Sequence, residues 1–336
     1  PNVQLVARSI RPTNLAKLWW EQVIVPRVAH AADCSLLHVP YWAAPARCAV
    51  PVVVTVHDII PRILPSYRGN PLVRLYTALV SATTGRAAAV LADSEASRHD
   101  IIRHLCVSPE LVRTVPLAFP SHYTPQPEPD DERIRSDLGL SDPYALYLGG
   151  FDVRKNLRAV LSAFGIARRV LPHIRLVIGG RLPQSDTAFA PDPRRIAREV
   201  GLDGDAVRFI GFIPEEHKPA LYRGARAFVF PSLYEGFGYP PLEAIACGVP
   251  VVASSASSLP EVVGEAGVLC EPDDFEGMAG ALIRLFNDDT FRDALRRQAI
   301  ARREAFSWDD TASQTLAAYR SVVEVTSDSS PPESRQ

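Results

Sequence analysis

Two glutamates, Glu235 and Glu243, bracket a glycine-broken turn in the stretch PSLYEGFGYPPLEAIACG, residues 231–248. Pro240 and Pro241 fall where proline is tolerated, in the first turn of a helix, and Gly248 marks that helix's end. Gly236 and Gly238 let the intervening backbone turn tightly and approach a ligand with its amide N–H groups free to donate. A helix start favours negative charge, so the carboxylates are expected to frame another anionic group. On that chemistry the loop grips a diphosphate or sugar hydroxyls. Glu235 accepts hydrogen bonds from a polyhydroxylated group, and Glu243, a turn further in, bridges two ribose hydroxyls. The plain alternative is that Glu243 complements the helix dipole and Glu235 is a surface loop acid.

The elements that must position these groups alternate between short apolar runs and helical periods. In the first half SLLHVP, VVVTVHD and AAVLADS read as strands, with helices over 70–85 and 94–105. In the second, YALYLGG, IRLVIGG, VRFIGF, ARAFVFP and VPVVAS alternate with helices from about Asn156, near 193–200 and near 216–224. Continuous apolar runs of this length suit parallel strands covered on both faces. The expected class is α/β: two Rossmann-like domains with parallel sheets facing across a cleft, the ligand lying at the carboxyl ends of the strands. The boundaries read as an N-terminal domain over 1–123, a Pro- and acid-rich linker over 124–142, and a C-terminal domain over 143–305. A final helix over 306–324 is expected to cross back to the first domain, and a polar tail over 325–336 to be disordered.

A chain of 336 residues with 47% hydrophobic content is long enough for two cored domains. No stretch approaches the roughly 18 to 20 uncharged apolar residues of a membrane span, and the first thirty residues carry no secretion signal, so the cytoplasm is the expected compartment. Five widely spaced cysteines without a CxxC pair indicate neither a disulfide framework nor a zinc site and read as small buried residues. The net charge of −2 argues against nucleic acid as a partner. Residues 1–124 hold 12 Lys and Arg against 7 Asp and Glu, the remainder 24 against 31. The basic half suits peripheral contact with an anionic membrane, or is simply a solvated Arg-rich surface.

VVVTVHDIIP, YLGGFDVRKNLRAVLSAF, VRFIGFIPEE, the glutamate stretch and SSLPEVVGEAGVLCEPDD, in this order along the chain, resemble the retaining nucleotide-sugar glycosyltransferases of family 4, which have the GT-B fold. The resemblance runs from about residue 15 to 322. It implies that Glu235 contacts the donor sugar, that Glu243 holds the nucleotide ribose, and that the amides of Gly236, Phe237 and Gly238 reach sugar hydroxyls or the β-phosphate. Lys155, near Gly150 in the same loop, matches the lysine that reaches the diphosphate. Where the family often has an arginine four residues before that lysine, this chain has Phe151, and Arg154 either supplies the missing charge or lies solvated. His57 matches a histidine near the donor sugar and the incoming hydroxyl, although a strand-end histidine is commonly a packed polar residue. Gly211 and Phe212 match the backbone lining the base pocket. Asp58 reads as a loop cap and Glu261 as a helix-start acid.

The implied reaction moves a hexose, mannose from GDP-mannose by its look, to a glycan or lipid-linked acceptor in surface-polysaccharide synthesis, with UDP-sugars open as donors. With no DxD-like pair and with Lys155 available, the chemistry is expected to need no metal and no cofactor. Trp19, Trp20, Tyr41 and Trp42 form either an acceptor or membrane-facing surface or core. The family's members begin with a strand and a glycine-rich loop, and that unit is expected to be missing from a chain that opens on Pro1. The second reading is therefore a catalytically impaired GT-B-like subunit. A glycosidase using Glu235 and Glu243 as acid and base, and a GxGxxG oxidoreductase, fit the pattern poorly.

Overall fold

The computed structural model describes residues 5–7, 9–140, 143–202 and 204–328. The chain divides into two compact units, one holding the residues up to Val115 and from Ala312 onward, the other Pro116–Thr311.

In the first unit β1 (Leu37–Val39), β2 (Val52–Val56), β3 (Ala89–Ala92) and β4 (Val112–Thr114) form a parallel sheet in that order. Every residue of β2 and β3 is buried, as expected for strands covered on both faces. Alternation sorts the two faces: Val54, Val56, Val90 and Ala92 pack with Ile101 and Leu105 of helix Glu95–Leu105, while Val53 and Leu91 pack against Ala318 and Val322 of the long helix Trp308–Asp328. That helix runs past residue 324 because no glycine or proline interrupts the chain before Pro331; residues 325–328, expected as disordered tail, are helical, and 329–336 lie outside the described residues.

In the second unit β5 (Tyr144–Leu148), β6 (Arg175–Gly179), β7 (Val207–Gly211), β8 (Ala225–Phe230), β9 (Val251–Ser254) and β10 (Gly267–Cys270) form a parallel sheet ordered β10-β9-β8-β5-β6-β7. The chain leaves β5 toward one edge and β8 toward the other, so the strand order reverses between these neighbours. The carboxyl ends of β5 and β8 thus define the switch point at which ligands bind in such sheets.

Of the expected linker 124–142, the described residues 124–140 are not free: they contain helix Asp131–Asp137, and Asp131 is buried in a two-pronged ion pair with Arg223, Oδ2 2.7 Å from Nε and Oδ1 2.5 Å from Nη2, while 141–142 lie outside the described residues. The crossing falls earlier, after Val115, because Tyr123 is fully buried in the second unit's core and its carbonyl accepts from Arg303. Nor are all the cysteines buried: Cys106 ends helix Glu95–Leu105 in the left-handed conformation and is exposed.

Candidate active site

The carboxyl ends of β5, β6 and β7 are stitched by glycine backbone. The Gly149 N–H donates to Gly179 O at 3.1 Å and the Gly180 N–H to Gly211 O at 2.7 Å. Gly180 has φ +150°, and a Cβ there would lie 2.2 Å from Gly149 O, so no other residue fits. Gly150 closes the β5 loop by accepting from the Tyr147 hydroxyl at 2.6 Å. Beside this rim lies a cavity of about 230 Å³ lined by Gly149, Gly180, Arg181, Phe212, Lys218 and Glu243. Phe212 is exposed, with the Arg181 guanidinium 5.4 Å from its ring centroid. Gly211, just before it, is left-handed at φ +73°.

From the β5 loop the chain enters a tight turn, Val153–Lys155, which Asn156 anchors by donating to Pro231 O (3.1 Å) and Pro272 O (2.8 Å). That turn docks on the loop after β8: the Leu233 N–H donates to Arg154 O at 2.8 Å, and Arg154 Nη1 to Tyr234 O at 2.8 Å. The result is a four-charge cluster at the switch point, in which Asp152 Oδ1 lies 3.7 Å from Arg154 Nε. Lys155 Nζ lies 2.7 Å from Glu235 Oε1, and Arg154 Nη1 lies 2.6 Å from Glu235 Oε2. Ser232 Oγ donates to Glu235 Oε1 at 2.7 Å, and the Glu235 N–H donates to Ser257 Oγ at 2.8 Å. Phe151 is buried, while Arg154 sits on the same carboxylate as Lys155. Burial pulls the Lys155 ammonium below its usual range, Arg154's charge adds to this, and Glu235 opposes it.

Glu243 lies on the fifth residue of helix Tyr239–Ala246 and is buried. Tyr222 donates to its Oε2 at 2.7 Å, and Lys218 Nζ stands 3.6 Å from its Oε1. Burial pushes the Glu243 carboxyl up, against the pull of Lys218. Lys218 stays charged despite its own burial because Glu243 and Glu215 face it. Of the turn before the helix, Gly238 is left-handed at φ +108°, whereas Phe237 packs its ring edge-on against Phe306. The helix start itself is poor in donors. Pro240 and Pro241 have no N–H, and Leu242's is taken by Gly238 O at 3.2 Å.

His57, described within the first unit, follows β2. Its Nδ1 is 2.7 Å from Asp93 Oδ2 and its Nε2 is 3.1 Å from Pro40 O, so both ring nitrogens face acceptors. The hydrogen bond to Asp93 holds its pKa above the ordinary histidine value, which burial opposes. A ring placed this way is suited to be a cation rather than a proton acceptor. Asp58 caps the next turn by accepting from the Ile60 N–H at 2.9 Å, and Glu261 sits in the first turn of helix Leu259–Val263.

Of the residues expected from the sequence, Glu235, Lys155 and Arg154 meet in the charge cluster, while Glu243 and Phe212 line the cavity and Gly211 precedes Phe212. Sequence reasoning missed Lys218, Arg181, Ser232 and Ser257. Lys218 could have been found: it follows two glutamates in IPEEHK, right after the VRFIGF strand.

A twice-repeated parallel α/β architecture with an acid-and-base cluster at the switch point defines a Rossmann-type ligand-binding class. Two family descriptions cover most of the chain: Glycosyl transferases group 1 over residues 130–302, and Glycosyltransferase Family 4 over residues 3–120. The chain belongs to this glycosyltransferase family and has its GT-B fold. It is 34% identical over 291 residues to the O-antigen chain mannosyltransferase B of Escherichia coli, covering 85% of this chain and 74% of that protein. It is 29% identical over 282 residues to the serotype-specific mannosyltransferase WbdA of Escherichia coli, covering 81% of this chain but only 34% of WbdA. Among solved structures, Anabaena Alr3699/HepE in complex with UDP and glucose superposes with a TM-score of 0.74 at 20% identity, covering 93% of this chain and 84% of that one.

Proposed function

We propose that this chain transfers mannose from GDP-mannose to a glycan or lipid-linked acceptor in surface-polysaccharide synthesis, with retention of anomeric configuration and without a metal. The observation that carries the reading is the contact of Arg154 and Lys155 with one carboxylate, Glu235, at the switch point. The mannosyl group is supported by the names of the relatives at 34% and 29% identity. Lys155 and Arg154 hold the diphosphate and stabilise the charge that builds on it as the bond from sugar C1 to phosphate oxygen breaks. The acceptor oxygen bonds to C1 on the face the diphosphate leaves, and its proton passes to a departing phosphate oxygen. Glu235 accepts hydrogen bonds from the sugar hydroxyls and steadies an oxocarbenium-like state without forming a covalent bond. Glu243 accepts from the ribose hydroxyls at the cavity beside Phe212. His57, with both ring nitrogens on Asp93 and Pro40 O, is assigned a role as a cation rather than as a donor. The proposed working place is the cytoplasmic side of an anionic membrane; among the described residues no helix is long and apolar enough to cross one.

The test is melting-temperature shifts with GDP, UDP and ADP, followed by turnover of GDP-mannose in the presence of a chelator. A ligand at about 100 times its Kd stabilises by about 2.7 kcal/mol, so the matching nucleotide stands out. Stabilisation by UDP alone overturns the donor, and loss of turnover on chelation overturns the metal-free route.

A further inference from the structure

Helix Pro71–Thr84 is turned the wrong way for a water-facing helix. It buries Thr77, Thr83 and Thr84 beside Val80, while Leu72 and Leu75 stand 70% and 69% exposed. The threonines are satisfied inside: Thr83 Oγ1 donates to Ala44 O at 2.7 Å, and Thr84 Oγ1 accepts from Trp42 Nε1 at 3.0 Å. Alongside runs helix Asn14–Trp19, whose Leu15 is 79% exposed. Its continuation opens into a π-helical turn, Trp20–Ile24, ahead of Pro26, which has no N–H to give the turn before it. Between the two helices lies an apolar groove of about 540 Å³ lined by Leu15, Leu18, Leu72, Leu75, Tyr76 and Leu79. Trp19 and Tyr41 are exposed in the same unit. An open apolar face of this kind marks an interaction surface.

Its charge says what it meets. No acidic residue occurs from Ile59 to Ala92, and Arg62, Arg68, Arg74 and Arg86 in that span are all exposed. Arg11 and Lys17 are exposed on the other helix's side. Glu21, the nearby acid, is buried, 3.6 Å from Lys17 Nζ and bound by the Tyr76 hydroxyl at 3.0 Å. A second copy of this face would set arginine against arginine with no acid to answer it.

We infer that this face docks on an anionic lipid bilayer, with Leu15, Leu72 and Leu75 entering the acyl boundary and Arg68 and Arg74 on the phosphate headgroups. The inference rests on the membrane contact of the proposed function and is independent of its donor and acceptor.

The experiment is co-sedimentation of the full chain with vesicles of phosphatidylcholine alone or mixed with phosphatidylglycerol. The unaltered chain should partition onto the anionic vesicles only, and less at high salt. Each basic contact is worth roughly fivefold in partition, so Arg68→Glu with Arg74→Glu should weaken binding on the order of 25-fold. Leu72→Glu with Leu75→Glu should weaken it comparably or more, while the melting temperature and the GDP-induced shift stay unchanged. Equal binding by the variants, or no preference for the anionic vesicles, overturns the proposal. So does a dimer in light scattering that the leucine variant dissociates while the unaltered chain ignores both vesicle types.

Discussion

Lys155 Nζ and Glu235 Oε1 meet at 2.7 Å although 80 positions separate them in the chain. The two loops carrying them leave the carboxyl ends of β5 and β8, the neighbours at which the strand order reverses. With Arg154 on the same carboxylate and Asp152 Oδ1 3.7 Å from its Nε, two cations and two anions share a partly buried point, where charges act more strongly than in open water.

Replacing either cation should therefore weaken nucleoside diphosphate binding more than nucleoside binding. A charge-assisted hydrogen bond is worth about 1.5–3 kcal/mol, so Lys155→Ala or Arg154→Ala should raise the GDP Kd roughly 10- to 100-fold in calorimetry and leave guanosine nearly unaffected. An unchanged GDP Kd for Arg154→Ala would show that the arginine is only a structural partner of Glu235 and that the charge missing at Phe151 is not replaced.

Glu243 should impose an acid limb on donor binding. Its folded pKa is raised by burial, so it protonates at a higher pH than the ordinary carboxylate value of about 4.3 and then loses acceptor capacity toward ribose. The donor KM should rise as pH falls through that raised value, with kcat less affected. Glu243→Gln should show the high KM at every pH, and a KM that is flat on acidification argues against the ribose role.

The His57–Asp93 pair should appear in stability against pH. The folded pKa of His57 lies above the unfolded value of about 6.5, so the pair's contribution is full below that value and is lost as pH rises through the folded one. Denaturant unfolding of the unaltered chain and of Asp93→Asn should differ most at about pH 6 and converge in mild alkali. A gap that stays constant with pH would mean that Asp93 acts other than through the imidazolium.

Asp131 and Arg223 fasten the segment after the first crossing to the second unit. Removing one partner of a buried pair strands the other charge, so Asp131→Ala should cost about 3–5 kcal/mol in unfolding free energy. Replacing both by apolar residues of similar volume should cost much less, and equal losses would point to packing rather than charge.

The sequence carried the strands that are continuous apolar runs, such as VVVTV and FVF, because parallel burial writes itself as uninterrupted hydrophobicity. It did not carry β4, VRT, whose exposed Arg113 breaks the run, nor β10, GVLC, which opens on glycine. Helix Asp131–Asp137 was hidden for a different reason: its acid-rich text reads as linker until Arg223, 92 positions away, provides the partner. In the site, Glu235 stood out through its glycine-broken turn ahead of two prolines, and Lys155 only through the resemblance of YLGGFDVRKN to the family's pattern. Arg154 stayed open because only folding shows which way an arginine beside a lysine turns, and Ser257 was invisible because its role depends on a left-handed backbone, φ +51°.

In the proposed reaction Glu235 steadies the transferred sugar while the nucleotide is held elsewhere. The deciding measurement is turnover of Glu235→Ala with GDP-mannose, read beside its GDP Kd. Turnover should fall by about 100-fold or more, with GDP bound as tightly as before or more tightly, because Arg154 and Lys155 no longer share a carboxylate. Near-normal transfer by this variant, or loss of GDP binding in step with turnover, would contradict it.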